Sequence, residues 1–367
     1  MLKSGQNWTA DLQKDRSRRG ILMCKRITIA ALCMIFISGA TSCATLQRPP
    51  AKYEPPAGRV LVFIGQDNAS VGGNDRFHDG YVDHIQVPAG ITHYVGMGVN
   101  RSNPFTTVFE ENHVDGLYTE SEWGAGPMCM KYYMDSPVLK HCIMHLSISM
   151  AGKNEGKVAD GTHDVLIDEL IRFLKEYKDV PFLLRIGYEF EGPWNHYDPE
   201  DFKRAFRRLV DRLRQADVTN FATVMASASF DTPYETWQLY YPGDEYVDWV
   251  GYSYWGGRST DGPSLRFARD RRKPVFIAES TPRGHFLDQE DGRQVWEAWF
   301  EPFFEHISEN SDVIRAISYI NCNWDAQSMW KGQGWGNTCI QSNDFIKAKW
   351  LEKMKSSVFQ LVFKKMD

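Results

Sequence analysis

Residues 181–194 read PFLLRIGYEFEGPW. A proline opens an apolar run that stops near Gly187, and the acids Glu189 and Glu191 follow at once. Side chains two apart share one face of a strand. Arg185, Gly187 and Glu189 therefore point together, and Leu184, Ile186 and Tyr188 take the other side, with an inward turn of Tyr188 open once the strand ends. The stretch Pro274–Ser280, PVFIAES, is built the same way and ends in Glu279. Alternation there places Val275, Ile277 and Glu279 on one face. Two apolar runs far apart in the chain thus each terminate in a carboxylate, and continuous apolar runs are what strands covered by helices look like.

Further strand segments are Arg59–Gly65, Ile91–Gly96, Lys140–Ile148, Phe221–Ala226, Tyr246–Tyr252 and Val313–Ile320. Helical spacing of apolar residues marks Thr162–Tyr177, Arg293–Ile307 and Asp344–Met354. The clearest helix follows Asp198, which can cap it, with Pro199 at the first helical position. Phe202, Phe206, Leu209, Val210 and Leu213 make its apolar stripe. With the two runs above these give eight strands alternating with helices or long connections. That order predicts an α/β fold, a single (β/α)8 or TIM-barrel domain over 58–367. A doubly wound sheet would carry a glycine fingerprint after its first strand, and none is present. Barrel active sites lie where strands exit, which is where both acids stand.

The first 43 residues read as an export leader. Arg18, Arg19, Lys25 and Arg26 precede the apolar run Ile27–Gly39, and the small residues Ala40, Thr41 and Ser42 lead to Cys43. The run is too short for a bilayer span, which needs about 20 residues. The order matches a lipoprotein signal with Cys43 as the lipidated residue, followed over 44–57 by a proline-bearing tether. Membrane association is expected only through that anchor, and otherwise a periplasmic or secreted protein. The net charge of −5 comes from interspersed charges with no basic stripe, which argues against nucleic acid as a partner. Cys129, Cys142, Cys322 and Cys339 remain for the domain; in an oxidising compartment Cys322 and Cys339 are a candidate disulfide, with free buried thiols as the alternative. The histidines His78, His84, His93, His113, His141 and His145 show no compact ligand spacing, so neither metal nor cofactor is expected.

Two carboxylates at one barrel rim suit glycoside hydrolysis. One must be protonated to help the sugar oxygen leave, and the other must be ionised to attack the anomeric carbon or activate water. The block Arg185-Ile-Gly-Tyr-Glu189-Phe-Glu-Gly192-Pro-Trp194 resembles strand four of family 26 of the glycoside hydrolases, the β-mannanase-like group of the large retaining barrel clan. The resemblance implies that Glu189 is the acid/base and that Glu279, ending strand seven, is the nucleophile. Val247–Tyr254 is similar to strand six of that family, whose last tyrosine, here Tyr254, sits against the nucleophile and helps keep it ionised. Trp324 resembles the aromatic floor under the cleaved sugar. Members of the family cleave β-1,4-mannans, β-1,3-xylans or mixed-linkage β-glucans. Tyr188 departs from the pattern, since the family has His at that place, and this marks a divergent relative rather than an ordinary mannanase.

Carbohydrate sites combine aromatic faces with short polar side chains. Arg185, Tyr188, Trp194, Asn195, Tyr254, Trp255, Trp324 and Asp325 are accordingly the candidate substrate-binding residues, with Trp330, Asn323, Gln66 and Asp67 as further rim positions. Trp237, Trp296 and Trp350 read as helix packing. The expected activity is endo-acting, retaining cleavage of a β-linked oligo- or polysaccharide. The competing reading is a non-catalytic glycan-binding lipoprotein on the same scaffold; nothing in the sequence speaks to oligomeric state.

Overall fold

The eight strand segments are strands in the computed structural model: β1 (Val60–Gly65), β2 (Gly90–Met97), β3 (Ile143–Ser149), β4 (Phe182–Ile186), β5 (Phe221–Ser227), β6 (Trp249–Tyr254), β7 (Val275–Ser280) and β8 (Ile314–Ile320). Each pairs in parallel with its sequence neighbour, and β1 pairs with both β8 and β2. The ring is therefore a closed eight-stranded (β/α)8 barrel. The structure describes residues 49–98 and 112–363, all within one compact unit. The leader over 1–43 with Cys43, and the start of the 44–57 tether, lie outside the described residues.

Period-2 alternation divides the side chains into two layers. Leu184 and Ile186 face the helices, joining Leu166, Leu170, Phe206 and Leu209 in the main core. Leu61, Phe63, Leu183, Val224, Trp249, Phe276 and Ala316 fill the barrel itself. Phe63 and Phe276 meet there with ring centroids 4.8 Å apart. Both faces are shielded from solvent, and inside the barrel the Thr92 hydroxyl bonds His145 and Ser318 among the apolar side chains.

The helix after β4 runs Pro199–Gln215, and the Asp198 carboxylate accepts from the Glu200 and Asp201 amides at 2.9 and 3.0 Å. Its stripe is buried as the spacing predicts. Several boundaries differ from expectation: β3 starts at Ile143 rather than Lys140, and two further differences have a physical cause. β6 starts at Trp249 rather than Tyr246, because the Asp248 carboxylate takes the Thr223 amide at 2.8 Å and ends the preceding loop. The helix expected over Arg293–Ile307 is broken into Gly292–Val295, a π-helical turn Trp296–Phe300 and Glu301–Glu309. Pro302 has no amide hydrogen for the carbonyl one turn back, and the wider turn carries the chain past it.

β7 departs from strict alternation. Val275 and Ile277 face the helices while Phe276 and Ala278 face the barrel interior. The register shifts between Ile277 and Glu279 against β6, and between Ile277 and Ser280 against β8. Such a bulge re-aims the following side chain. Glu279 consequently turns toward the barrel mouth, and its expected sharing of a face with Val275 and Ile277 is not observed.

Leu183 fills the barrel near the start of β4, one inward position below Arg185. Leu183→Ala is expected to cost about 2–5 kcal/mol through lost burial and an unfilled cavity; urea unfolding should show a lower midpoint with an unchanged slope.

Candidate active site

The chain leaves β4 through Gly187, whose φ is +59°, and reaches Glu189, itself left-handed at φ +49°. A Cβ on Gly187 would lie 2.5 Å from the Phe202 ring, so only glycine fits this exit. The Glu189 carbonyl accepts from the Gly192 amide at 2.8 Å and from Asn195 Nδ2 at 3.0 Å. Asn195 also donates to the Tyr188 carbonyl at 2.9 Å. The Phe190 ring anchors the turn from behind, 4.9 Å from Trp237. These contacts hold a non-glycine residue in a conformation that is otherwise uncommon. Glu191 faces away: its carboxylate takes the Ala228 amide at 2.9 Å and the Thr232 hydroxyl. It ties down the β5 loop and does not line the cleft.

Glu189 and Glu279 open on one cleft of about 580 Å³ at the strand-exit mouth. Beneath them Arg185 is completely buried. Its Nη1 is ion-paired with Glu279 Oε1. Its Nη2 donates to Ser253 Oγ at 3.4 Å, and Ser253 donates to Glu189 Oε1 at 2.7 Å. A buried chain thus links both carboxylates across β4, β6 and β7. Burial first, then the negative charge of Glu279, push the Glu189 carboxyl well above the usual range, with Arg185 and Ser253 opposing. Glu279 instead has the guanidinium in direct contact.

Tyr188 lies on the cleft with its ring 5.1 Å from the Arg185 guanidinium and edge-on to Tyr94 at 5.4 Å. Its phenol is pushed up to about 12, by burial before the charge of Glu279. Trp194 stands over the acid, its indole N–H donating to Glu189 Oε2 at 2.9 Å. Trp324, Trp330 and Trp335 form an aromatic wall with centroid spacings of 4.8 to 5.5 Å. Trp255 meets Trp335 edge-on at 5.3 Å, and the Arg283 guanidinium lies 4.1 Å from the Trp335 ring. Gln66 also lines the cleft.

Several expected site residues sit elsewhere. Tyr254 faces the helices, its hydroxyl bonded to the Gly257 carbonyl at 2.6 Å and its ring 5.0 Å from Phe303. It does not reach Glu279; Tyr94 of β2 is the tyrosine beside that carboxylate. Arg185 lies below the cleft floor and meets no substrate space. Asp325 caps its own loop by accepting the Gly332 amide at 3.1 Å. Asp67 caps Asn68–Val71. Cys322 and Cys339 are free thiols, as are Cys129 and Cys142. Thr338 closes the loop instead: its amide donates to the Cys322 carbonyl at 2.8 Å and its hydroxyl accepts the Trp324 indole N–H at 3.0 Å. The Cys339 thiol points to the Asn321 carbonyl at 3.7 Å. The tryptophans expected to pack between helices, Trp237, Trp296 and Trp350, are buried in the core. Sequence reasoning missed Tyr94, Ser253, Trp123, Arg283 and Trp335. Only the first two had a signal, being inner-face positions in the exit halves of their strands.

The profile of Glycosyl hydrolase family 26 matches residues 144–323, from β3 to just past β8. A β-1,3-xylanase from a Vibrio species is 35% identical over 335 residues, covering 84% of this chain and 67% of that protein. One from an Alcaligenes species is 32% identical over 358 residues, covering 89% and 70%. Among solved structures, a β-mannanase from Bacteroides ovatus superposes with a TM-score of 0.54 at 14% identity, covering 84% of this chain and 92% of that one. A modular endo-β-1,4-mannanase from Cellulomonas fimi gives 0.55 at 12%, with 84% and 73% covered. These two likenesses show the shared barrel alone. Joined to the carboxylate-bearing cleft, the sequence relatives identify the chain as a member of glycosyl hydrolase family 26, a glycoside hydrolase acting on β-linked polysaccharide.

Proposed function

We propose that this enzyme cleaves β-1,3-linked xylan within the chain, with retention of configuration, using Glu189 as acid/base and Glu279 as nucleophile. The observation that carries the reading is the pair of carboxylates on one cleft in opposite surroundings. Glu189 is buried, its proton affinity raised by desolvation and by its acidic neighbour, as a general acid needs near neutral pH. Glu279 is ion-paired with the buried Arg185 guanidinium, which fixes the carboxylate at the cleft where the attacking group must stand. In the first step Glu279 bonds to the anomeric carbon while Glu189 gives its proton to the departing glycosidic oxygen. In the second, ionised Glu189 takes a proton from water, whose oxygen displaces Glu279 from the same carbon.

The substrate assignment rests on the two β-1,3-xylanases that align along most of the chain. Tyr188, in the place where the β-mannanase pattern has His, also supports a sugar other than mannose. Aromatic surfaces from the loops after β4, β6 and β8 suit neutral sugars and can grip a chain across the whole mouth. We further propose export by the 1–43 leader and anchoring through Cys43.

Purified enzyme should release reducing ends from β-1,3-xylan far faster than from β-1,4-mannan or mixed-linkage glucan, giving oligosaccharides first; preference for mannan would overturn the substrate reading. Glu279→Gln should lose at least about 10³-fold in kcat on this chemistry, while retaining affinity for the oligosaccharide. Glu189→Ala should recover turnover of an activated aryl glycoside when azide is added, yielding a β-glycosyl azide. Removing a buried pair's partner costs about 3–5 kcal/mol, so Arg185→Met should lower both stability and kcat, with KM little changed because Arg185 meets no substrate. Cys43→Ala should move the protein from the membrane to the soluble fraction.

A further inference from the structure

The two oxygens of Glu189 have different neighbours. Oε1 accepts from Ser253, which is buried in the barrel mouth at 1% exposure. Oε2 accepts from the indole of Trp194, which is 57% exposed and lines the cleft. Oε2 is therefore the oxygen on the open side, where a glycosidic oxygen would arrive. An indole N–H donates and cannot accept, so it bonds strongly to a carboxylate and weakly to a carboxylic acid. Trp194 thus favours the ionised form of Glu189, whereas the first chemical step needs the protonated one. The same ring offers a broad exposed face at the site where a sugar would stack.

We propose that Trp194 is a substrate-moved latch on the acid/base: its N–H holds Glu189 in the free enzyme, and a leaving-group sugar stacked on the ring turns it away. Releasing the bond raises the proton affinity of Oε2 as the glycosidic oxygen reaches it. Glu189 then passes that proton to the leaving oxygen as the bond to the anomeric carbon breaks. The ring is placed for this by Gly192, where a Cβ would fall 2.6 Å from indole Cε2. Gly192 lets the indole lie down on the turn, and any larger residue would lift it. Trp194 is a positioning residue in this account, and the account rests on the assignment of Glu189 as acid/base.

The other charged and titratable groups that act on Glu189 are Arg185 of β4, Glu279 of β7 and the Tyr188 phenol, with the charge of Glu191 reaching it from behind the turn. None is altered by Trp194→Phe, which keeps the stacking face and deletes the N–H. The experiment is the pH dependence of kcat/KM and of kcat on a β-1,3-xylooligosaccharide for wild type, Trp194→Phe, Gly192→Ala and Glu189→Ala. A hydrogen bond to the anion lowers a carboxyl pKa, so its loss moves the high-pH limb upward. The limb of kcat/KM, which reports the free enzyme, should rise by about half to one pH unit in Trp194→Phe. Gly192→Ala, which retains the indole but displaces it, should do the same. The limb of kcat should stay where wild type has it, because the bond is already broken in the complex. A higher KM with both limbs unmoved would reduce Trp194 to a stacking surface and overturn the latch. Equal shifts of both limbs would also overturn it, since the bond would then persist with substrate bound. Should the high-pH limb survive in Glu189→Ala, the acid/base assignment itself fails; should it vanish there and stand unmoved in Trp194→Phe, the latch alone fails.

Discussion

A guanidinium buried without water must have an anion against it, because an isolated buried charge costs far more than a barrel can supply. Arg185 is that group, and the top of the barrel is arranged around it. Glu279 provides the charge and Ser253 a polar contact, and Ser253 passes the connection to Glu189. β4, β6 and β7 are thereby fixed relative to one another at their exit ends. One buried cation thus sets both the spacing of the carboxylates and the contrast between them: Glu279 touches the positive charge, while Glu189 reaches it only through a hydroxyl.

The barrel beneath is stiff for an ordinary reason, two apolar layers with period-2 alternation. The site needs departures from that regularity. A bulge in β7 swings Glu279 off the helix-facing side. Left-handed backbone at Gly187 and Glu189 turns the chain across the mouth. Both irregularities stand where a strand ends, and each is held by contacts with neighbouring strands or loops, the usual company of stored strain at a functional site.

The eight strands were legible in the sequence, most of them as β-rich apolar runs and Ile91–Gly96 only faintly, because Thr92 and His93 interrupt it; so was the inward set of β4, which obeys simple alternation through Arg185. The capped helix at Asp198 was legible because its first turn carries every local signal. The β7 parity was not, because a bulge is a two-strand property and leaves no mark in PVFIAES. Tyr254 was chosen by resemblance, yet alternation from buried Trp249 puts Gly251 and Ser253 inside and Tyr252 and Tyr254 outside. Asp325 and the Cys322–Cys339 pairing failed for a common reason. Both lie in loops, where the contest between capping, packing and function is settled by contacts that follow no period, here those of Thr338 and Gly332. Trp123, Arg283 and Trp335 arrive from such loops without periodicity.

The account stands on Glu279 becoming covalently bonded to the sugar. Incubation with a 2-deoxy-2-fluoro xyloside or xylobioside bearing an activated leaving group slows both steps and lets the intermediate accumulate. Intact-protein mass should rise by one fluoroglycosyl unit, and peptide mapping should put that mass on Glu279. Absence of any adduct together with a first-formed α-product, or an adduct mapped to another residue, would contradict it.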